Sequence, residues 1–268
     1  MLITDILLKI EVYPRFFLFF SIFLCIMCKK GYYVILLGDV VLLFDLIRGG
    51  SYSIADVLVY ILSALAVIFL TMPVHEFAHA VTAYKLGDHS QKYAGRLTVS
   101  PFAHIDWFGA LCIILVGFGW ARPVQVNPYN FKNPKRDMAF TAAAGPISNL
   151  LVAFVGLFFY NLFALIYYKT ALVLFVYIAI FFNYIATINI SLAVFNLLPV
   201  PPLDGSKLLA AFLPDRIYYK FMQYERYIYI ALLFLVFSGA LDTPISFLSH
   251  YIYSGLGYIA GLPFNLIF

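Results

Sequence analysis

The sequence predicts an all-α polytopic membrane protein: a helical transmembrane bundle, with a small membrane-associated strand or re-entrant element after the first clear membrane helix. Three observations carry that expectation. Of the 268 residues, 64% are hydrophobic and only 11% charged, where a soluble domain is nearer a quarter charged. The mean hydropathy is +0.94. Several charge-free runs exceed the roughly 18–20 residues that cross a bilayer.

Residues 1–50 form an N-terminal hydrophobic extension of unclear role. A membrane helix is expected near Arg15 to Met27, and the run after Lys30, interrupted by Asp39 and Asp45, suits the interface. The start lacks the basic region and small-residue cleavage site of a signal peptide. Cys25 and Cys28 have C-x-x-C spacing but no second pair, so they read as small apolar residues of a membrane segment, as does the lone Cys112.

The core of the protein is expected over 51–240. A first span runs from Ile54 to Val74 and continues as helix through His79 towards Leu86, where Gly87-Asp88 stops it. "KYAGRLTVSPFAHID" follows, and its short alternation and Gly and Pro punctuation predict a strand pair or a loop. Trp107 to Ala121 is apolar but short for a span, which predicts a re-entrant segment. Two charge-free runs, Met138 to Tyr168 and Thr170 to Leu203, are separated by Lys169 alone. Tyr227 to Leu241 and a C-terminal hydrophobic segment over 241–268 complete the chain.

The net charge of +4 is small, and its basic residues lie in short segments between apolar runs. That suits membrane orientation and anionic headgroups, not nucleic acid. If the Ile54, Met138 and Thr170 helices each cross once, segments 85–136 and 199–226 share one side. These segments are rich in Lys and Arg, whereas the opposite loops hold Lys169 and no other. The positive-inside rule makes the rich side cytoplasmic.

Within the first span lies "VHEFAHA", Val74 to Ala80. His75 and His79, spaced i and i+4, share one helix face, where both imidazoles can reach a single Zn²⁺. Glu76 projects about 100° away round the helix, which suits a base acting on water at the metal. The bland alternative is a set of interfacial polar residues on a helix end. Ionisable groups inside a membrane segment are costly, however, and generally mark a function.

A catalytic zinc usually has three protein ligands. Asp204 is the best candidate for the third, because Pro199, Pro201 and Pro202 break the helix just before it and Gly205 relaxes the backbone after it. Irregular backbone at membrane depth is tolerated only beside protein or a water-filled cavity. A simple Asp-Gly turn at a membrane exit is the alternative. His104 and His89 are lesser candidates, and His250 falls on the opposite side.

Together "HEFAH", "GRLTVSPFAHID", "AAAGPISN" and "NLLPVPPLDG" resemble the site-2 protease family of intramembrane zinc metalloproteases, most closely its compact bacterial branch without a PDZ domain. The likeness covers about residues 52 to 240. It implies one Zn²⁺ per chain, held by His75, His79 and Asp204, with Glu76 as catalytic general base. Asn196 would hold the substrate strand or the developing oxyanion, and Asn149 is a further polar candidate. It implies hydrolysis of peptide bonds within or near transmembrane segments, in a bacterial inner or plasma membrane. The substrate would be a membrane protein whose transmembrane helix unwinds locally, and Tyr93 to Ser100 could pair with it as an added strand. Small residues from Ala142 to Ser148 are expected to pack against the histidine helix. Two other classes stay open from the residues: a transporter or channel using the broken helix and histidines as an ion path, and a catalytically silent membrane scaffold.

Overall fold

The computed structural model describes residues 33–36, 54–108 and 118–265. The helix expected near Arg15 to Met27, the C-x-x-C pair and most of the proposed re-entrant segment lie outside them.

Helix α1 (Ile54–Ala66) passes through a π-helical turn (Val67–Thr71) into α2 (Met72–Leu86), making one span of 33 residues. The π turn falls just ahead of Pro73, whose ring cannot occupy a regular helix interior without displacing the preceding carbonyl. Gly87 ends α2 at φ 118°, a left-handed conformation open to glycine, as the Gly-Asp stop requires.

Beyond it, the expected strand pair or loop is a loop carrying two single-turn helices, α3 (Ser90–Tyr93) and α4 (Pro101–His104). Tyr93 ends α3, and Gly95 turns at φ 66°. Pro101 then starts α4 at its first position, where its missing N–H costs nothing. The strand element lies further on. β1 (Tyr33–Leu36) pairs antiparallel with β2 (Phe118–Ala121), in the register Tyr33 to Ala121.

A 3₁₀ turn (Pro128–Asn130) leads to α5 (Pro134–Thr170), then α6 (Leu174–Asn196). The 37 residues of α5 span about 55 Å, more than the ~30 Å hydrocarbon layer, so one or both of its ends reach beyond it. Ala171, at φ 52°, turns the chain back into α6. Three short-to-medium helices, α7 (Asp204–Ala210), α8 (Asp215–Met222) and α9 (Glu225–Phe237), precede α10 (Asp242–Asn265).

Among the described residues, three helices are long and apolar enough to cross a membrane: the α1–α2 span, α5 and α6. Leu58, Leu62, Leu70, Leu151 and Val155 face outward from them, as lipid contact demands. Close packing comes from small residues: a Cβ on Gly156 of α5 would lie 3.1 Å from the Phe182 carbonyl of α6. Beside it Phe163 and Phe182 stack with centroids 5.7 Å apart. One apolar cluster joins α1 and the π turn to α6 through Val67, Ile68, Ile188 and Leu192, and a second joins α5, α6, α9 and α10. The first half of α2, the first half of α5 and the end of α6 meet around one cavity.

Candidate metal centre

The site begins with the i, i+4 pair on α2. His75 and His79 are 9% and 7% exposed, and their Nε2 atoms are 3.1 Å apart. The ring of His79 is aimed by α5: its Nδ1 is 2.7 Å from the Thr141 carbonyl. A carbonyl accepts only, so Nδ1 carries the proton and Nε2 of the neutral ring presents a lone pair. His75 Nδ1 has no hydrogen bond among the described residues.

The space for both rings comes from Gly145. A Cβ there would fall on His79 Nε2 and 2.6 Å from His75 Cε1, so a residue without a side chain is needed. The small-residue face of α5 packs against α2 as expected, and at this position it does so to admit imidazole.

The third element is the break after α6. The helix ends at Asn196, the chain turns through Leu197 to Leu203, and α7 starts with Asp204 in its first turn. Gly205 serves close approach. It has no positive φ, and a Cβ there would collide with the backbone of Leu197 and Leu198. Asp204 is 3% exposed, and its Oδ2 lies 3.1 Å from His79 Nε2 and 3.5 Å from His75 Nε2. Its other oxygen, Oδ1, is 3.4 Å from Lys207 Nζ.

One ligand atom from each of His75, His79 and Asp204 thus lies within 4.8 Å of the others. Tetrahedral ligands at ~2.0–2.1 Å from zinc stand about 3.4 Å apart, so these separations fit. Two ring nitrogens and one carboxylate are also a donor set that zinc accepts.

Glu76, 5% exposed, sits beside this group. Its Oε2 accepts the Val124 N–H at 3.0 Å, and Oε1 makes no hydrogen bond among the described residues. Two cavities meet at the site. The larger is lined by Met72, His75, Glu76, His79, Asn149, Leu192, Asn196 and Asp204. The smaller lies among Glu76, His79, Val124, Val126, Thr141, Asp204 and Lys207, with Met138 and Ala142. Asn196 and Asn149 therefore line the first cavity without belonging to the three-ligand group.

The remaining histidines stand apart. His104 is fully buried, its Nε2 2.8 Å from the Thr98 carbonyl, and burial pushes its pKa down against the opposing effect of that bond. His89 is exposed and packs on Tyr84. His250 is exposed on α10. Lys207 joins the site at i, i+3 from Asp204, a spacing visible in the sequence. The Thr141 carbonyl and the Val124 N–H have no such signal, since backbone groups leave no mark in residue type.

The sequence model of Peptidase family M50 matches residues 164–238. "Putative zinc metalloprotease YwhC" of Bacillus subtilis (strain 168) is 40% identical over 188 residues, which cover 66% of this chain and 83% of that protein. "Putative zinc metalloprotease MJ0611" of Methanocaldococcus jannaschii is 32% identical over 168 residues, 59% of this chain and 74% of that one. Rip2 of Mycobacterium tuberculosis, likewise named a "Putative zinc metalloprotease", is 28% identical over 147 residues, and the match spans only 51% of its length. No solved structure matches significantly. From its identity to YwhC over most of that protein's length, the chain belongs to Peptidase family M50, and it is a metalloprotease.

Proposed function

We propose that the protein is an intramembrane zinc endopeptidase that cuts membrane proteins within or near their transmembrane segments, with its site towards the cytoplasmic side. The observation that carries this reading is the convergence of His75 and His79, from one membrane-spanning helix, with Asp204, from the break after another, beside the buried carboxylate of Glu76.

His75 and His79 through Nε2, and Asp204 through Oδ2, would hold the ion. When bound, Zn²⁺ supplies Lewis acidity, letting a water lose its proton near neutral pH and drawing charge from a peptide carbonyl. The Thr141 carbonyl keeps the proton of His79 on Nδ1, and Lys207 occupies the Asp204 oxygen that faces away from the rings. Glu76 is the general base: it accepts the proton of the attacking water and returns it to the leaving amine. Its Oε2 is engaged by Val124, so the transfer falls to Oε1. Asn196 and Asn149, which line the larger cavity, would donate to a substrate carbonyl.

A helical substrate hides its carbonyls in its own hydrogen bonds, so it must unwind to be cut. Substrates should therefore carry helix-weakening residues near the scissile bond. The transporter reading leaves the H-E-x-x-H spacing without a purpose, and the scaffold reading leaves Glu76 without one. The test is proteomics of membrane fractions from cells carrying wild-type or Glu76→Gln enzyme. Fragments released by the wild type alone are expected, and identical fragment sets would sink the protease assignment.

A further inference from the structure

Residues Arg122 to Asn127 carry the Val124 N–H to Glu76, and their path is determined by prolines. Pro123 and Pro128 push the residues before them away from helix, and Asn127 is accordingly extended at φ −96°, ψ 106°. Beyond β2 the segment has no strand partner among the described residues. Instead, separate groups hold it. The Arg122 N–H donates to the His104 carbonyl at 2.8 Å, Gln91 Nε2 donates to the Gln125 carbonyl at 2.8 Å, and the Asn127 N–H donates to Asp88 Oδ2 at 2.9 Å.

Asp88 is the hub of this arrangement. It is completely buried and accepts five hydrogen bonds. The donors are the Ser90 N–H at 3.2 Å, Ser90 Oγ at 2.6 Å, Gln91 Nε2 at 2.9 Å, the Asn127 N–H at 2.9 Å and Asn130 Nδ2 at 2.7 Å. A carboxylate serving only its own turn would need Ser90 and Gln91. Two of the five donors come from the far segment and the turn that follows it. Asp88 and Glu76 belong to the same rod, one just past the end of α2 and the other within it, so the segment is pinned to α2 at both points.

We propose that Asp88 is a positioning residue for peptide hydrolysis: by fixing Asn127 and Gln91 it holds the Val124 N–H on Glu76 Oε2, and so selects the carboxylate position from which Oε1 works. A flexible glutamate that loses this donor retains its charge and loses its aim. The proposal rests on Glu76 being the general base.

The test uses full-length, zinc-loaded protein in nanodiscs, comparing wild type with Asp88→Asn, Asn130→Ala and Ser90→Ala. Amide exchange is followed over 122–127, and cleavage is followed on a membrane substrate whose release depends on Glu76. Asp88→Asn is expected to speed exchange of the segment about tenfold and to lower kcat about tenfold to a hundredfold, with KM and zinc content unchanged. Asn130→Ala, the milder change, should move both readouts in the same direction, and Ser90→Ala should move them less. Val124→Pro removes the donor itself, along with the valine side chain, and adding Asp88→Asn to it should cost little more. Unchanged exchange in Asp88→Asn, a loosened segment with unaltered kcat, or an effect on KM alone would overturn the proposal. Full activity of Glu76→Gln would overturn the base assignment instead, so the two failures are distinguishable.

Discussion

Asp204 Oδ2 stands 3.1 Å from His79 Nε2, although the two residues belong to different helices far apart in the chain. A buried carboxylate facing two ring nitrogens is stable only when a proton or a cation lies between them. Purified protein is therefore expected to contain one zinc per chain by mass spectrometry or elemental analysis. His79→Ala and Asp204→Ala should each weaken zinc by more than the roughly 10–100-fold that loss of an outer hydrogen-bond partner costs. Retained stoichiometric zinc in both variants would contradict the three-ligand assignment.

Glu76→Gln keeps the size of the side chain and its bond from Val124, but loses the basic oxygen. Zinc content should match wild type while cleavage falls by at least the ~10²–10⁴-fold that general-base catalysis contributes. Metal analysis alongside a cleavage assay measures both halves of this expectation.

Gly145 lies against both imidazoles, so any Cβ displaces them. Gly145→Ala should lower zinc affinity and activity together and destabilise the fold by about 1–3 kcal/mol, the usual cost of overpacking. Gly156→Ala provides the comparison. Its Cβ meets the Phe182 carbonyl at 3.1 Å, away from the site, so it should cost stability and leave zinc affinity alone. Thermal unfolding and zinc titration of the two variants separate the effects.

Gly205→Ala places a Cβ against the Leu197 and Leu198 carbonyls, which are backbone and cannot swing aside. The turn carrying Asp204 must shift, so zinc affinity should fall even though every ligand is present. Wild-type affinity in this variant would show that the turn yields without moving the carboxylate.

Asp88 gives the pH prediction. Burial raises its pKa, but the bonds from Ser90, Asn127, Asn130 and Gln91 together outweigh that and hold it at about 2, below the ordinary 3.8. The folded state therefore favours the ionised form. Its contribution, about 2 kcal/mol from the shift, is complete above about pH 4 and is lost as pH falls towards 2. Wild type should exceed Asp88→Asn in stability by a constant amount at neutral pH, and the gap should close below pH 4. Unfolding midpoints of both proteins from pH 7 to pH 2.5 measure it.

The long helices, the imidazole pair on one face and the interruption before Asp204 were all legible in the residues. Each follows from local chemistry: apolar run length, the angular spacing of a helix, and the missing N–H of proline. The strand element shows the boundary. Alternation with Gly and Pro punctuation left "KYAGRLTVSPFAHID" open to a strand pair or a loop, and Gly95 and Pro101 make it a loop of turns. The strand lies at Phe118–Ala121, where it has Tyr33–Leu36 to pair with. A strand depends on its partner, which its own residues do not reveal. The same reason separates the candidate site into two parts. Residue type and spacing alone picked out a candidate metal-binding pair with a carboxylate alongside. Only the packing of α2 against α5 and of α7 near them decided that Asp204, not His104, completes the group, that the Thr141 carbonyl aims His79 and that the Val124 N–H aims Glu76. Backbone groups are common to every residue, so only their positions in space give them a role.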